Sequence, residues 1–458
     1  MRRLAWRLWQ GAAASALRRY GQALAAPQQA QADVFAALLR SAAGTRFARA
    51  HGLDGPCTVA EYQQRVPVMT PADLDRWVEL IRRGESQVLT NAAVERLVPT
   101  SGSTGPVKRI PMTAASRAEY GLAVNLWMGD TLRMVPAVRG GRAYIATSPA
   151  LTFTDLDSAI PVGYAEDAAY LGVLERLLLQ RLLAVPTHVA ALRGAVWRDC
   201  VRQRLLAARD LRFLSLWHPS YLSALFTPDE MPLLKSKWPR LAVISTWSDG
   251  HCAAAARDLC AHFPAARHQR KGLWLTEGVV SVPWQGDTPL ALLNGLLEFE
   301  DEHGRAWLAH ELQDHGLYRP LLSNHAGLYR YRLGDVVQVC GFQHATPCVR
   351  WLGRADAVSD VCGEKLSEAQ VEQACRLAGL PAEACLRAAR DREPPCYVLH
   401  VHAPVSDLAP LETALRRNPH YDWARRLGQL GPLEQSGDPV PPRPEQGGHH
   451  LKSQRLIP

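Results

Sequence analysis

Between Leu296 and Leu352 the chain sets down short apolar runs in quick succession, Leu296–Phe299, Leu317–Leu322, Leu328–Leu333 and Val336–Phe342, with turn residues between them. Runs of that length punctuated by turns predict strands, so a strand-rich block must be accommodated late in the chain. What precedes it differs. Residues 1 to about 90 carry apolar side chains at three and four spacings, as in Val34–Leu39 and Leu74–Ile81, which predicts helices. Short runs at Arg96–Val98, Ala143–Ala146, Phe213–Trp217 and Leu241–Thr246 then alternate with helical segments such as Leu171–Arg212. That alternation is the pattern of an α/β domain with a mixed sheet. After the block, Gly353-Arg354-Ala355-Asp356 is a candidate hinge. Beyond it Ser367–Leu377 reads as a helix, Tyr397–His402 as a strand, Leu408–Arg417 as a helix and Gly431–Gly448 as an exposed loop. The fold class expected is therefore α/β, with a large N-terminal domain (1–354) of mixed sheets and packed helices and a small C-terminal α+β domain (355–458). A chain of 458 residues exceeds what one hydrophobic core supports, which agrees with two domains.

Composition narrows the function classes. The hydrophobic share of 47% and charged share of 21% are those of a folding globular protein and not of a disordered chain or a membrane transporter. The net charge of +8 comes almost wholly from arginine, and lysine is confined to Lys108, Lys235, Lys237, Lys271, Lys365 and Lys452, so each lysine is informative. The arginines are not gathered with aromatics into a stripe, which speaks against a nucleic-acid partner. Ten cysteines include no Cys-x-x-Cys pair, and the simplest setting is the reduced cytoplasm. The N-terminal segment Leu4–Gln10 is interrupted by Arg7 and reads as an amphipathic helix instead of a signal peptide. No stretch reaches the roughly 20 uncharged apolar residues that a membrane span requires.

The segment Thr100-Ser101-Gly102-Ser103-Thr104-Gly105-Pro106-Val107-Lys108 combines two glycines, three hydroxyl residues between and beside them, and a lysine three positions on. Small residues let backbone N–H groups approach phosphate oxygens, hydroxyls add donors, and lysine supplies a point charge. The order is not that of a Walker loop, nor of the Gly-x-Ser-x-Gly nucleophile elbow. Taken alone the cluster also suits an ordinary turn.

Three further segments follow in order: Thr276-Glu277-Gly278, Tyr331-Arg332-Leu333-Gly334-Asp335 and Gly353-Arg354-Ala355-Asp356. Together with the glycine-rich loop they resemble the successive signatures of adenylate-forming enzymes. More narrowly, Asn324–Val337 resembles the plant auxin-responsive Gretchen Hagen family of acyl-acid amido synthetases and its bacterial relatives. Trp247-Ser248-Asp249-Gly250 and Asn418-Pro419-His420-Tyr421 extend the resemblance through nearly the whole chain.

The resemblance implies residue roles. Ser101, Gly102, Ser103, Thr104, Gly105 and Lys108 would cradle the phosphates of ATP. Thr276 would hydrogen-bond the α-phosphate, and Glu277, placed after the apolar run Leu273–Leu275 at an expected strand end, would hold Mg²⁺. Asp335 would accept both ribose hydroxyls, and Arg354 would hold ribose or phosphate. Asp356 would be the hinge about which a mobile C-terminal lid swings. Lys452 would neutralise charge building between carboxylate and α-phosphate. Each has a plainer reading: a solvated glutamate, a Gly-Asp turn, a surface arginine, a turn aspartate, a solvated terminal lysine.

The implied reaction has two halves. A carboxylate attacks the α-phosphate of ATP to give acyl-AMP and pyrophosphate, and then an amine, commonly an amino acid, displaces AMP to leave an amide. Trp217, Tyr221 and Trp247 are expected to wall the acyl pocket. An acyl-CoA ligase sharing the first half-reaction and a non-catalytic nucleotide-binding relative remain open alternatives. His400 and His402 could share a strand face but lack a third ligand, and Cys362 lacks an adjacent histidine, so both are read as structural.

Overall fold

Threonine caps punctuate the helical first fifth of the chain. In the computed structural model, which describes residues 2–99, 108–146, 157–163, 173–192, 194–354, 358–381, 384–401, 404–436 and 456–457, this region forms α1 (Arg2–Ala25), α2 (Pro27–Ala42), α3 (Arg46–His51), α4 (Val59–Arg65) and α5 (Pro71–Arg82). Pro27 ends α1 and opens α2, because proline suits a first helical turn but not an interior. Thr45 accepts from Ala48 N at its helix start, and Thr58 and Thr70 form reciprocal capping boxes with Glu61 and Asp73. Gly52 closes α3 in the left-handed conformation.

The described residues cluster into two compact units. The larger takes residues up to 99, 108–219 and 229–353; the smaller takes 220–228 and those from 354 onward.

In the larger unit β1 (Val94–Pro99) pairs antiparallel with β2 (Arg109–Thr113), and α6 (Ala114–Met134) follows directly, capped by Thr113 and Ser116. The buried face of α1, with Trp6, Trp9, Ala13 and Tyr20, packs on Trp127, Met128 and Leu132 of α6. Gly129 permits that approach, since a Cβ there would lie 2.9 Å from Ala13. A parallel sheet runs in the order β3 (Arg142–Ile145), β4 (Leu211–Ser215), β5 (Val243–Thr246) and β6 (Arg267–Arg270). An antiparallel sheet follows from β7 (Leu296–Glu300), β8 (Ala306–Leu308), β9 (Leu317–Ser323), β10 (Tyr331–Arg332), β11 (Asp335–Gln343) and β12 (Thr346–Arg354), in the order β12-β11-β9-β7-β8 with β10 beside β9. Both a parallel and an antiparallel sheet are thus present, as the expected mixed α/β class requires.

The strand expected over Leu328–Leu333 shrinks to Tyr331–Arg332. Arg330 sits at φ +48° with Gly327 and Gly334 also positive, so the backbone is coiled on both sides of β10. Arg330 is held there by a buried ion pair with Glu298 at 3.0 Å and by donation to the carbonyls of Gln63 and Val66. β6 was not expected, because Arg-His-Gln-Arg carries no apolar pattern. It forms because β5 supplies a parallel partner. Leu171–Arg212, expected as helical, contains the helices Val173–Leu182 and Gly194–Ala207. β12 runs through Gly353 and Arg354, so the first half of the expected hinge is strand backbone.

In the smaller unit β13 (Val358–Ser359) pairs with β14 (Leu366–Ser367), and a mixed sheet runs β17 (Glu434–Ser436), β16 (Cys396–His400), β15 (Cys385–Ala389), β18 (Leu456–Ile457). Helices Glu368–Leu377, Ala409–Leu415 and Pro419–Leu427 share one core with it, among them Val371, Leu386, Leu399, Leu411 and Tyr421. Asn418-Pro419-His420-Tyr421 is a helix start: Asn418 Oδ1 accepts from His420 N at 2.9 Å and its Nδ2 donates to Glu364 O at 3.0 Å. Glu364 is itself fully buried, taking N–H bonds from Val361 and Cys362 at 2.8 Å and the Tyr397 hydroxyl, and burial raises its carboxyl pKa. Cys362 donates to the same carboxylate, which with burial pushes the thiol well above its ordinary range.

Candidate active site

Thr276 and Glu277 form the tip of a tight turn. Leu275 N donates to Gly278 O at 2.9 Å and Gly278 N to Leu275 O at 3.2 Å, while Trp274 bridges Val279. The expected strand end is therefore replaced by a two-residue reversal, which projects Thr276 and Glu277 together. Glycine is required at 278, where φ is +155° and a Cβ would fall 2.6 Å from Leu322.

This turn lines a cleft of about 300 Å³, open mouth included, whose other walls are Ile110, Pro111 and Met112 of β2, Ser116, Glu119 and Tyr120 of α6, and Asn294, Asn324 and Ala326. Two of these walls grip the turn. Asn324 Nδ2 donates to Glu277 O at 2.7 Å, and Tyr120 donates its hydroxyl to Leu275 O. Asn324 Oδ1 accepts from Ala326 N at 3.0 Å, folding its own loop, and Thr113 Oγ1 donates to His325 O at 2.9 Å. Asn294 gives its Nδ2 to Glu119 O and leaves Oδ1 buried with no hydrogen-bond partner among the described residues. Behind this wall His325 Nδ1 meets Glu119 Oε1 at 2.6 Å, a pair that raises the imidazole pKa chiefly through that hydrogen bond. Burial raises the Glu119 carboxyl pKa in turn.

Lys108 directly precedes β2, so the strand that lines the cleft is also the one the glycine-rich loop runs into. Ser101, Gly102, Ser103, Thr104 and Gly105 lie outside the described residues, as do Asp356, His402 and Lys452; the Arg354 side chain is likewise not described. Asp335 opens β11 and is 4% exposed, with Oδ1 accepting the indole N–H of Trp351 at 2.8 Å. Trp351 reaches across to the Trp247–Gly250 segment, where its ring lies against Gly250. Asp249 sits there between Arg350 at 3.8 Å and Arg270 at 4.0 Å.

Trp217 and Trp247 are brought together, with ring centroids 5.5 Å apart and Trp247 N donating to Trp217 O at 3.1 Å. Tyr221 starts the short helix Tyr221–Leu225 of the smaller unit. Sequence reasoning missed Asn294, Tyr120 and Trp351. For Trp351 a signal existed in the apolar run ending at Gly353, but a tryptophan in a strand reads as core. Among the described residues no cluster of three or more His, Cys, Asp or Glu side chains could hold a metal, and no helix is long and apolar enough to cross a membrane.

Comparison with known proteins gives a consistent answer. Residues 16–171 match the model of the GH3 family N-terminal domain and residues 294–354 that of the GH3 family central domain. A protein of Oryza sativa subsp. japonica named probable indole-3-acetic acid-amido synthetase GH3.12 is 25% identical over 446 residues, covering 75% of this chain and 72% of its own. Another from the same organism, putative by its own name as indole-3-acetic acid-amido synthetase GH3.10, is 22% identical and covers 75% and 82%. Among solved structures, AtGH3.15 acyl acid amido synthetase in complex with 2,4-DB superposes with a TM-score of 0.66 at 18% identity, over 93% of this chain and 88% of that one. A 2-hydroxyisobutyryl-CoA ligase in complex with 2-HIB-AMP and CoA superposes at 0.57 and 15%, over 98% and 89%.

Proposed function

Because the chain belongs to the GH3 family of acyl-acid amido synthetases, we propose that it spends ATP to activate a carboxylic acid as acyl-AMP and then transfers the acyl group to an amine, an amino acid by the family's habit. The observation that carries this reading is the Thr276-Glu277 tip, held by Asn324 and Tyr120 in a cleft that is also lined by β2, which begins next to Lys108.

In the mechanism, Lys108 and the loop Ser101–Gly105 receive the phosphates, and Thr276 donates to the α-phosphate. Asp335, fixed by Trp351, accepts from the ribose hydroxyls, and Arg354 adds a contact to ribose or phosphate. Carboxylate and phosphate repel, so the positive field of Lys108, with Lys452 assigned the same duty, lowers the barrier to attack. The donor set suits Mg²⁺: Glu277 offers a carboxylate to the cleft that Asn294 also lines, whose Oδ1 has no partner among the described residues, hard oxygens of the kind this ion takes together with substrate phosphates. When bound, the ion supplies further charge neutralisation at the phosphates. Residues 355–458 serve as the lid and Asp356 as its hinge, on the family's pattern. Trp217, Trp247 and Tyr221 are assigned to the acyl pocket. None of the ten cysteines is in a disulfide, which supports a cytoplasmic setting.

The test is acid-dependent pyrophosphate exchange screened over aromatic and aliphatic acids, followed by product analysis with amino acids and with coenzyme A. Exchange and an amide product are expected. A thioester product would make the chain an acyl-CoA ligase, and absence of exchange with every acid would defeat the adenylation reading.

A further inference from the structure

Lys271 follows β6 immediately and is 3% exposed. Its ammonium donates to Ser215 Oγ and to Leu216 O at 3.2 Å, and lies over the rings of Trp217 at 4.3 Å and Trp127 at 4.9 Å. No carboxylate faces it among the described residues, and burial alone brings its pKa down to about 7. A buried cation without an anion is costly, and proteins keep one where something will pair with it.

Its position says what. Ser215 ends β4, Thr246 ends β5 and Arg270 ends β6, so Lys271, Trp217 and Trp247 all stand just past the carboxyl ends of parallel strands, where open α/β sheets bind ligands. Ser245 is in register with Ser215 on the neighbouring strand, is wholly buried, and has an Oγ with no partner among the described residues. The Lys271 ammonium and the Ser215 hydroxyl therefore meet beside the Trp217 and Trp127 rings, with the buried Ser245 hydroxyl on the adjoining strand. From Lys271 a run of rings leads toward the cleft: Trp127, then Trp274 at 5.8 Å from it, then Tyr120 at 5.9 Å, which itself lines the cleft beside Thr276 and Glu277.

We propose that Lys271, with Ser215 and Ser245, is the specificity-determining anchor for the far end of the acyl substrate, which is an acid carrying a second oxygen acceptor, a hydroxyl, keto or carboxylate group, remote from the carboxylate that is activated. The inference rests on the adenylation reading above. An apolar body lying along the tryptophan wall places that second group at the ammonium, and a hydrogen bond to a charged donor discriminates against an acid that lacks it, because the N–H not used by Ser215 and Leu216 is then left without an acceptor.

The experiment compares matched acids, aryl and alkyl, with and without a terminal hydroxyl, keto or carboxylate group, on wild type, Lys271→Met and Lys271→Arg. Pyrophosphate exchange gives the ratio of kcat/KM within each pair, and calorimetric titration of the same acids without ATP gives the ratio of affinities. Wild type is expected to prefer the acceptor-bearing acid by about tenfold or more. Lys271→Met should collapse that ratio toward one, and Lys271→Arg should keep part of it. A wild-type ratio near one in both readouts, or a ratio that Lys271→Met leaves intact, overturns the assignment. Absence of exchange with a calorimetric preference that Lys271→Met removes would sustain the anchor and defeat adenylation, so the two failures are distinguishable.

Discussion

Trp351 donates its indole N–H to Asp335 Oδ1 at 2.8 Å and lays its ring against Gly250, so one side chain of β12 sets the orientation of the proposed ribose carboxylate from the next strand. Trp351→Phe keeps the ring and removes the donor. The expected result is a rise of roughly tenfold in the KM for ATP, the size of one hydrogen bond to a charged group, with the KM for the acid little changed. Asp335→Ala should abolish exchange while the protein stays folded. Equal ATP constants in wild type and Trp351→Phe would show that the indole does not orient Asp335.

Gly250 tests the same contact from the other side. Its φ is +55°, and a Cβ would fall 2.7 Å from the Trp351 ring, so Gly250→Ala combines an unfavourable backbone with a collision. A loss of about 1–3 kcal/mol by urea unfolding is expected, together with an ATP defect like that of Trp351→Phe. Unchanged stability would mean that ring and segment part without cost.

Glu277 and Asn324 separate chemistry from positioning. Glu277→Ala should abolish acid-dependent pyrophosphate exchange in a folded protein. Asn324→Ala should lower kcat about tenfold or more, because the turn that carries Glu277 loses the donor at its carbonyl. Normal exchange in both would remove this turn from the site.

These relationships mark how far the residues alone could be read. Periodicity located the helical start, and the turn-punctuated runs located β7, β9 and β11, because each buries an alternating or continuous apolar face. It failed for β6, whose polar residues pair only because β5 offers an edge, and for Leu328–Leu333, where the buried Arg330–Glu298 pair and positive φ angles override a strand-like pattern. Thr276 and Glu277 were legible as a motif, but the turn geometry that projects them depends on Gly278 meeting Leu322 from a strand far along the chain. Asn294 gave no local signal at all: its meaning comes from a cleft assembled by β2, α6 and two loops. Lys271 was conspicuous by the scarcity of lysine, yet only the fold shows that it is buried against two tryptophans.

That burial makes a prediction about stability independent of substrate. Lys271 has its pKa lowered to about 7 in the folded chain from an ordinary 10.5, with desolvation as the cause. Below pH 7 both folded and unfolded chains hold the proton, and the folded state bears the whole cost of the buried charge. Between about 7 and 10.5 the unfolded chain holds a proton that the folded chain has released, so this group's contribution to stability improves as pH rises. Lys271→Met removes the term. The variant should therefore be more stable than wild type by a few kcal/mol at pH 6 to 7, the difference being reduced by the lost contacts to Ser215 and the tryptophans, and the gap should close as pH approaches 10. Urea unfolding at several pH values measures it. A gap that does not change with pH would mean that the ammonium is hydrated in the folded state and that the rings around it do not exclude water.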